Sequence, residues 1–198
     1  MISADSDNLR LFFAVPLAED LRDAACGLQD VLEIACERGP RVKWVERENL
    51  HLTLKFVGDT PVEDTQRLAE VAAAVASECS AASLQVGGVG CFPPRGVPRV
   101  IWVGLAEESP ELGGLAGRLD GALQAAGLST PDRNRFSAHF TLGRVKQGRG
   151  CAPLSEAIAG LGEEPVGQMM VHRFSLMSSE LTPQGPIYAE RACFDLKK

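Results

Sequence analysis

A four-residue pattern, His-x-Thr-Leu, occurs twice in this chain, at residues 51–54 and 139–142. The chain has only three histidines, so two of them stand in the same short context. Both copies lie in stretches where polar and apolar residues alternate, which is typical of a β-strand with one buried face. The pattern therefore predicts two equivalent strands, each presenting an imidazole and a hydroxyl side by side on the face opposite its leucines.

The residues around the two copies repeat the same order of elements. Residues 10–15 and 99–104 each have the pattern of a strand, and each is followed by a helical stretch, over about residues 17–38 and 110–126. A His-x-Thr-Leu strand then follows at almost the same distance in both cases. The chain is therefore predicted to contain two lobes with the shared order strand, helix, His-x-Thr-Leu strand.

Apolar periodicity along the whole chain predicts an α+β protein. The predicted strands lie near residues 9–15, 42–45, 50–57, 83–90, 99–105, 136–145, 169–178 and 187–195. The predicted helices lie near residues 17–38, 62–79, 110–126 and 153–160. The turn-rich stretches between them are too short to be domain linkers. We therefore expect residues 1–198 to form a single bilobal domain.

Composition excludes several classes of protein. Hydrophobic residues make up 45% of the chain, enough for a substantial core, but no stretch approaches the roughly 20 apolar residues of a membrane span. The first seven residues are acidic, unlike a signal peptide. The six cysteines include no Cys-x-x-Cys pair, which argues against a zinc knuckle or a redox motif. We expect a soluble cytoplasmic protein, acting as a monomer and away from membranes.

The distribution of charge matters more than the net charge of −6, which speaks against a protein that coats long nucleic acids. Basic residues gather around both motifs, while acidic residues gather in the predicted helices. The basic residues are Arg38, Arg41, Lys43, Arg47 and Lys55 near the first copy, and Arg133, Arg135, Arg144, Lys146 and Arg149 near the second. This arrangement predicts a locally positive groove that attracts a small phosphate or an RNA end.

Two imidazoles on opposite walls of a groove suit in-line displacement at phosphorus, where the nucleophile and the leaving oxygen lie on opposite sides. One histidine takes a proton from water while the other gives a proton to the leaving ribose oxygen. An unperturbed pKa of about 6.5 keeps both forms of histidine accessible near neutrality. Thr53 and Thr141 can donate to the non-bridging oxygens of the phosphate. Arg144, three residues after Thr141, is the best placed cation.

The paired motifs resemble the signature of the two-histidine (2H) phosphoesterase superfamily. Their wider context resembles its RNA 2′,3′-cyclic phosphodiesterase branch, also called the 2′-5′ RNA ligase family. The residues that carry this resemblance span nearly the whole chain: residues 10–14, 49–50 and 55–58, Arg144, residues 179–181, Gly185 and Tyr188. One departure is Ala138, where members of the family often have proline, and there we expect a small change in strand geometry.

The resemblance implies a bilobal α+β fold, in which two antiparallel sheets with outer helices are related by an approximate two-fold around a central groove. It implies hydrolysis of a terminal 2′,3′-cyclic phosphate to a 2′-phosphate, on RNA 3′ ends or nucleotides, with no cofactor and no metal. A weak reverse 2′-5′ ligation would proceed through a related transition state.

The resemblance also implies a role for each residue. His51 would be the general acid that protonates the leaving 3′ oxygen, and His139 the general base that activates water. Thr53 and Thr141 would hold the phosphate, and Arg144 would bind it from the side. Because the site is pseudo-symmetric, the acid and base assignments could also be exchanged.

Alternatives remain open at this point. Phe12 shares a face with Arg10 and Ala14, so we count it as a substrate-binding residue whose ring reaches the groove and stacks on a base. Packing in the core is the alternative for this ring. A zinc site built from His51, His139 and His172 is disfavoured, because no carboxylate or cysteine accompanies either motif on its face. A noncatalytic module that binds RNA ends or nucleotides would also use a positive groove.

Overall fold

A computed structural model describes residues 8–37, 39–131, 135–147, 150–183 and 185–197. Of the basic residues noted above, Arg38, Arg133 and Arg149 lie outside these ranges. The strands are β1 (Asn8–Pro16), β2 (Arg41–Trp44), β3 (His51–Pro61), β4 (Ala82–Phe92), β5 (Val100–Leu105), β6 (Phe140–Gln147), β7 (Pro165–Val171), β8 (Arg173–Leu181) and β9 (Pro186–Asp195). The helices are α1 (Glu19–Ile34), α2 (Asp64–Glu78), α3 (Pro110–Ala125) and α4 (Ala152–Gly160), and a short 3₁₀ turn spans Arg47–Asn49.

The strands pair in one antiparallel order, β7-β4-β5-β6-β3-β1-β8-β9, with β2 added beside β6. This order is symmetric about its centre. The motif strands β6 and β3 meet there, and each is flanked by the strand that precedes a helix, β5 before α3 and β1 before α1. Among the described residues, one pair joins β3 to β6 and thereby the two halves, Leu52 with Phe140. The predicted α+β fold is confirmed, and the two antiparallel sheets that the resemblance implies are the two halves of one sheet, continuous through this pair.

The helices cover one face of the sheet because their apolar residues recur at helical spacing. In α3, residues 112, 115, 116, 119 and 123 are all buried, and in α1 so are residues 21, 25 and 32. They pack on the apolar face of the central strands, which includes Leu11, Phe13 and Phe140. Complete burial of one such side chain stabilises the fold by about 1.5–3 kcal/mol. The opposite face of the sheet is left open.

The sheet curls into a half-barrel with the helices outside. β7 ends at Val171 and β8 begins at Arg173, yet six strand spacings separate β7 from β8 in the sheet order. Two peptide units reach at most about 7.6 Å, whereas six spacings in a flat sheet would span roughly 29 Å. The two halves must therefore approach each other at this corner.

The same corner corrects one predicted element. The single strand expected over residues 169–178 is two strands, β7 and β8, which belong to different halves of the sheet. Two consecutive polar residues, His172 and Arg173, interrupt the alternation there, but no glycine or proline marks the change of partner. The strand expected over residues 136–145 also begins later, at Phe140, so that His139 directly precedes it.

A buried amide ties α1 to the second motif strand. Gln29 is 8% exposed, and its Nε2 donates to the carbonyl oxygens of Val45 and Leu142, both at 2.9 Å. Both N–H groups of the amide are thus satisfied in the interior. All six cysteines are unpaired thiols. Within the described ranges, no helix is long and apolar enough to cross a membrane.

Candidate active site

The two motifs lie side by side at the centre of the open face. Leu52 and Phe140, each 2% exposed, form the pair that joins β3 to β6, and both point into the core. Because neighbouring side chains on a strand point to opposite faces, the residues on either side of this pair project from the open face. These are His51, Thr53, His139 and Thr141, and the concave surface that they line is called the groove below. Because β3 and β6 are antiparallel, His51 lies beside Thr141 and His139 lies beside Thr53.

Both imidazoles are held in the same way. The Nδ1 atom of His51 lies 2.7 Å from the carbonyl oxygen of Asn49, and that of His139 lies 2.8 Å from the carbonyl oxygen of Ser137. A carbonyl oxygen can only accept, so Nδ1 carries a proton in both rings. The Nε2 atom is therefore the one that can gain or lose a proton in each histidine. In both copies the carbonyl that anchors the ring belongs to the residue two positions before the histidine.

His51 sits in an aromatic cluster. Its ring centroid lies 5.0 Å from that of Phe12 and 5.3 Å from that of Tyr188, and its Nε2 lies 3.1 Å from Thr53 Oγ1. Burial lowers the pKa of His51 below its ordinary value of 6.5, and the hydrogen bond to the Asn49 carbonyl opposes that shift only in part. In the free protein the neutral imidazole is thus favoured.

Tyr188 shows that positive charge is close to this cluster. Burial raises the pKa of its phenol, while the guanidinium groups of Arg144 and Arg10 act in the opposite direction. The cations of two different strands, β6 and β1, therefore act on the ring that packs against His51. The positive groove expected from the sequence has these two arginines near its first histidine.

His139 packs against a second set of aromatic rings. Its centroid lies 5.2 Å from that of Phe92, edge to face, and 6.0 Å from that of Trp102. The indole of Trp102 lies directly over Gly90, where any Cβ atom would collide with the ring. Gly90 thus lets Trp102 lie flat on β4 beside the second motif.

Arg144 reaches the groove side of β6 because of a β-bulge. In a regular strand, residues 141 and 144 would point to opposite faces. Here Trp102 pairs with Thr141 and Val100 pairs with Arg144, with an irregularity between them. Residues two apart on β5 share a face, so Thr141 and Arg144 do so as well. Arg144 is exposed, as a group that binds an incoming anion must be.

A second bulge reverses the faces that strict alternation along β3 would give to Lys55 and Phe56. Thr53 pairs with Ala14 and Lys55 pairs with Phe13, so Leu54 is an extra residue in β3. Lys55 consequently points into the core, where it is 2% exposed, and is not part of the positive groove. Phe56, which strict alternation from Leu52 would place on the buried face, is 53% exposed on the groove side.

The structure also decides between the alternatives for Phe12. It is 1% exposed and packs against His51, Tyr188 and Phe56, the last at 5.6 Å between centroids. No free ring face remains for a nucleobase, so the assignment of Phe12 as a substrate-binding residue is corrected to one that packs behind His51. Phe56 is the exposed ring of this cluster, although strict alternation along β3 would place it on the buried face.

His172 is separate from the two motifs. It lies at the corner between β7 and β8 and lines a pocket that neither His51 nor His139 lines. Over the described ranges, no three His, Cys, Asp or Glu side chains are grouped so that they could hold a metal ion. The zinc site considered from the three histidines thus has no geometric support.

Comparison with known proteins agrees with the duplication. The family model described as LigT like Phosphoesterase matches twice, at residues 15–102 and 103–188, and each match contains one motif. Proteins named RNA 2′,3′-cyclic phosphodiesterase match almost end to end. That of Methanothermobacter thermautotrophicus is 39% identical over 95% of this chain and 99% of its own length, and that of Archaeoglobus fulgidus is 37% identical over 94% and 100%.

Solved structures agree with this fold. A protein of Thermus thermophilus has a TM-score of 0.74 and 28% identity, covering 96% of this chain and 98% of that one. E. coli LigT complexed with NADP+ also has a TM-score of 0.74, with 25% identity, covering 98% of this chain and all of that one. With its paired motifs at the centre of a duplicated fold, the chain belongs to the LigT-like phosphoesterases of the two-histidine superfamily.

Proposed function

We propose that this protein hydrolyses terminal 2′,3′-cyclic phosphates of RNA or nucleotides to 2′-phosphomonoesters, with His51 and His139 as the acid and base and no metal. The observation that carries the proposal is the matched pair of imidazoles, each anchored through Nδ1 and each accompanied by a threonine hydroxyl in one groove. The names of the relatives from M. thermautotrophicus and A. fulgidus support the same reaction.

The reaction needs one proton taken and one given. His139 Nε2 removes a proton from water as the water oxygen bonds to phosphorus. The bond from phosphorus to the ribose 3′ oxygen breaks on the opposite side, and the 3′ oxygen takes the proton from His51 Nε2. The products are a 2′-phosphate and a 3′-hydroxyl. The two histidines end with exchanged protonation states and recover by proton exchange with solvent.

The threonines and Arg144 serve the phosphate. In the free protein Thr53 Oγ1 lies within hydrogen-bond distance of His51 Nε2, and a bound phosphate replaces that contact with one to a non-bridging oxygen. Thr141 occupies the equivalent position in the other motif. Arg144, on the same face as Thr141, supplies the positive charge that stabilises the developing negative charge.

Further support comes from the ligand of a structural neighbour. E. coli LigT, 25% identical, was crystallised with NADP+. NADP+ carries a phosphate on a ribose 2′ oxygen, the group that the proposed reaction leaves on its product.

Attack by a ribose hydroxyl in place of water would give a weak 2′-5′ ligation in the same groove. We propose that the protein acts as a monomeric single domain in the cytoplasm.

Product analysis in the presence of a chelator tests the reaction directly. A short oligonucleotide ending in a 2′,3′-cyclic phosphate is incubated with the protein and excess EDTA, and the product is compared with authentic 2′- and 3′-phosphates. We expect full turnover and only the 2′-phosphate. Loss of activity with EDTA would indicate a metal site, and binding without turnover would indicate a noncatalytic module.

The pH dependence should differ between kcat/KM and kcat. Burial lowers the pKa of His51 in the free protein, so its acid form, and with it kcat/KM, is lost as the pH rises through a value below 6.5. A bound phosphodiester places negative charge near Nε2 and favours the imidazolium. We therefore expect the descending limb of kcat to lie at higher pH than that of kcat/KM.

The assignment of acid and base is tested by the same profiles. His51→Ala should lose the descending limb and His139→Ala the ascending limb, measured on a cyclic mononucleotide. The reverse pattern would exchange the two roles and leave the overall reaction intact. Profiles unchanged in both variants would assign the limbs to other groups.

A further inference from the structure

An open pocket of about 350 Å³ adjoins His51 on the half of the groove formed by β1, β8 and β9. Ala14, Ser175 and Met177, on the groove side of β1 and β8, contribute to its lining, as do Asn49 and Tyr188. Its lining includes His51 itself and the residue whose carbonyl anchors the His51 ring. Whatever occupies this pocket is therefore directly beside the proposed general acid.

Two arginines line both this pocket and the next one along. Arg22 of α1 and Arg173 at the start of β8 also line a pocket of about 250 Å³ near the corner between β7 and β8. The side chain of Arg22 is 19% exposed and its Nη1 contacts Glu19 at 3.1 Å, but its Nε is buried and has no hydrogen-bond partner within the described part of the chain. Arg173 is exposed, and no carboxylate of the described residues lies within ion-pair distance of it.

These two guanidinium groups are well suited to an anion. A buried N–H without a partner costs about 1–3 kcal/mol, and an acceptor oxygen brought to Arg22 Nε would remove that cost. A phosphate offers several such oxygens and accepts from arginine in a forked geometry. Arg173 can add a second donor group, because it lines the same two pockets.

The pocket beside His51 has a more mixed character. Glu48 and Glu190 also line it, and Glu190 accepts a hydrogen bond from Ser175 Oγ at 2.7 Å. Carboxylate, hydroxyl and amide groups above an apolar floor suit a nucleoside, which presents both donors and acceptors around an apolar ring. A phosphate suits the boundary between the two pockets, where Arg22 and Arg173 lie. A nucleoside suits the pocket beside His51.

The proposed reaction sets the direction of the RNA. If His51 protonates the leaving 3′ oxygen, the ribose of the terminal nucleotide lies on the His51 side of phosphorus. The pocket is on that same side, and Arg22 and Arg173 are the two arginines that line it. We infer that the terminal nucleoside occupies this pocket and that Arg22 and Arg173 bind the phosphate linking it to the preceding nucleotide. The inference rests on the proposed function and makes oligonucleotide ends the preferred substrates over cyclic mononucleotides.

Three substrates with the same terminal nucleoside test the inference. They are the 2′,3′-cyclic mononucleotide, the dinucleotide with the same cyclic end, and that dinucleotide with an uncharged methylphosphonate linkage. We expect kcat/KM to be about tenfold higher for the natural dinucleotide than for either of the others, the value of one charge-assisted hydrogen bond. Arg22→Gln and Arg173→Gln should each reduce this preference severalfold, and Arg173→Lys should retain part of it.

Arg118→Gln is the matched control. Arg118 lies on α3, on the helical side of the sheet, and is 63% exposed. It should leave the preference for the dinucleotide unchanged. The inference is wrong if the wild type has no preference for the natural dinucleotide. It is also wrong if the Arg22 and Arg173 variants lose kcat/KM equally on all three substrates, because the two arginines then do not bind the linking phosphate.

A binding measurement separates this inference from the proposed reaction. A dinucleotide ending in a 2′-phosphate should bind the wild type about tenfold more tightly than the nucleoside 2′-phosphate, and Arg173→Gln should reduce that ratio. A ratio retained in a protein without turnover would overturn the proposed reaction alone. A ratio near one in a protein that hydrolyses the cyclic mononucleotide would overturn the arginine site alone.

Discussion

Replacing either motif histidine with alanine should lower kcat on a 2′,3′-cyclic nucleotide by at least about 100-fold, the usual contribution of a positioned acid or base. The geometry supports equal importance, because His51 and His139 are both anchored through Nδ1 and both leave Nε2 for proton transfer. The double variant should be little slower than the slower single variant, since the two protons move in one reaction.

His172→Ala provides the matched control for these variants. It removes the third histidine of the chain, which is exposed at the corner between β7 and β8 and lines a pocket that contains neither motif histidine. On a cyclic mononucleotide its rate should stay within about twofold of the wild type, because the pocket that His172 lines is not where the reacting phosphate is proposed to bind. Because His51 packs against Phe12 and Tyr188, His51→Gln and a thermal melt keep loss of packing apart from loss of chemistry. Wild-type rates in both motif variants would rule out the two-histidine mechanism.

Local sequence patterns were sufficient for the main elements and for the centre of the site. The alternation through β1 and β3 and the helical spacing in α1 and α3 each arise within one segment, so they can be recognised without knowing the fold. The duplicated motif added the long-range information that alternation lacks. It implied that residues far apart in sequence occupy equivalent places, and β3 and β6 are indeed neighbours at the centre of the sheet.

The errors arose where the partner strand decides the outcome. The extra residue at Leu54 turns Lys55 inwards and Phe56 outwards, and it exists only in relation to the pairing with β1. The bulge in β6 has the opposite consequence, since it brings Arg144 to the face of Thr141. The division at His172 likewise depends on which half of the sheet each strand joins. Neither the bulge at Leu54 nor the division at His172 has a glycine or proline beside it, whereas Gly143 adjoins the bulge in β6.

The inward turn of Lys55 creates an internal ion pair directly after the first motif. The Lys55 side chain is 1% exposed, and its Nζ lies 2.5 Å from Asp120 Oδ1 and 3.0 Å from the carbonyl oxygen of Thr130. Burial alone would raise the pKa of Asp120, but hydrogen bonds from Lys55 and Gln124 and the charge of Lys55 lower it overall. The pair joins β3 to α3, so its loss should lower the stability of the whole fold.

Asp120→Ala should therefore lower the free energy of unfolding by about 2–3 kcal/mol, somewhat less than for a fully buried pair because Asp120 is 27% exposed. Asp64→Ala is the matched control, since it removes a helical aspartate paired with the exposed Arg67 at 2.7 Å and should cost less than about 1 kcal/mol. Because the pKa of Asp120 is lowered on folding, its contribution is present above 3.8 and is lost as the pH falls through the lower folded value. Denaturant unfolding of the three proteins at pH 7 and in acid measures both effects. Equal stability of Asp120→Ala and Asp64→Ala at pH 7 would mean that the ion pair contributes no more than a surface contact.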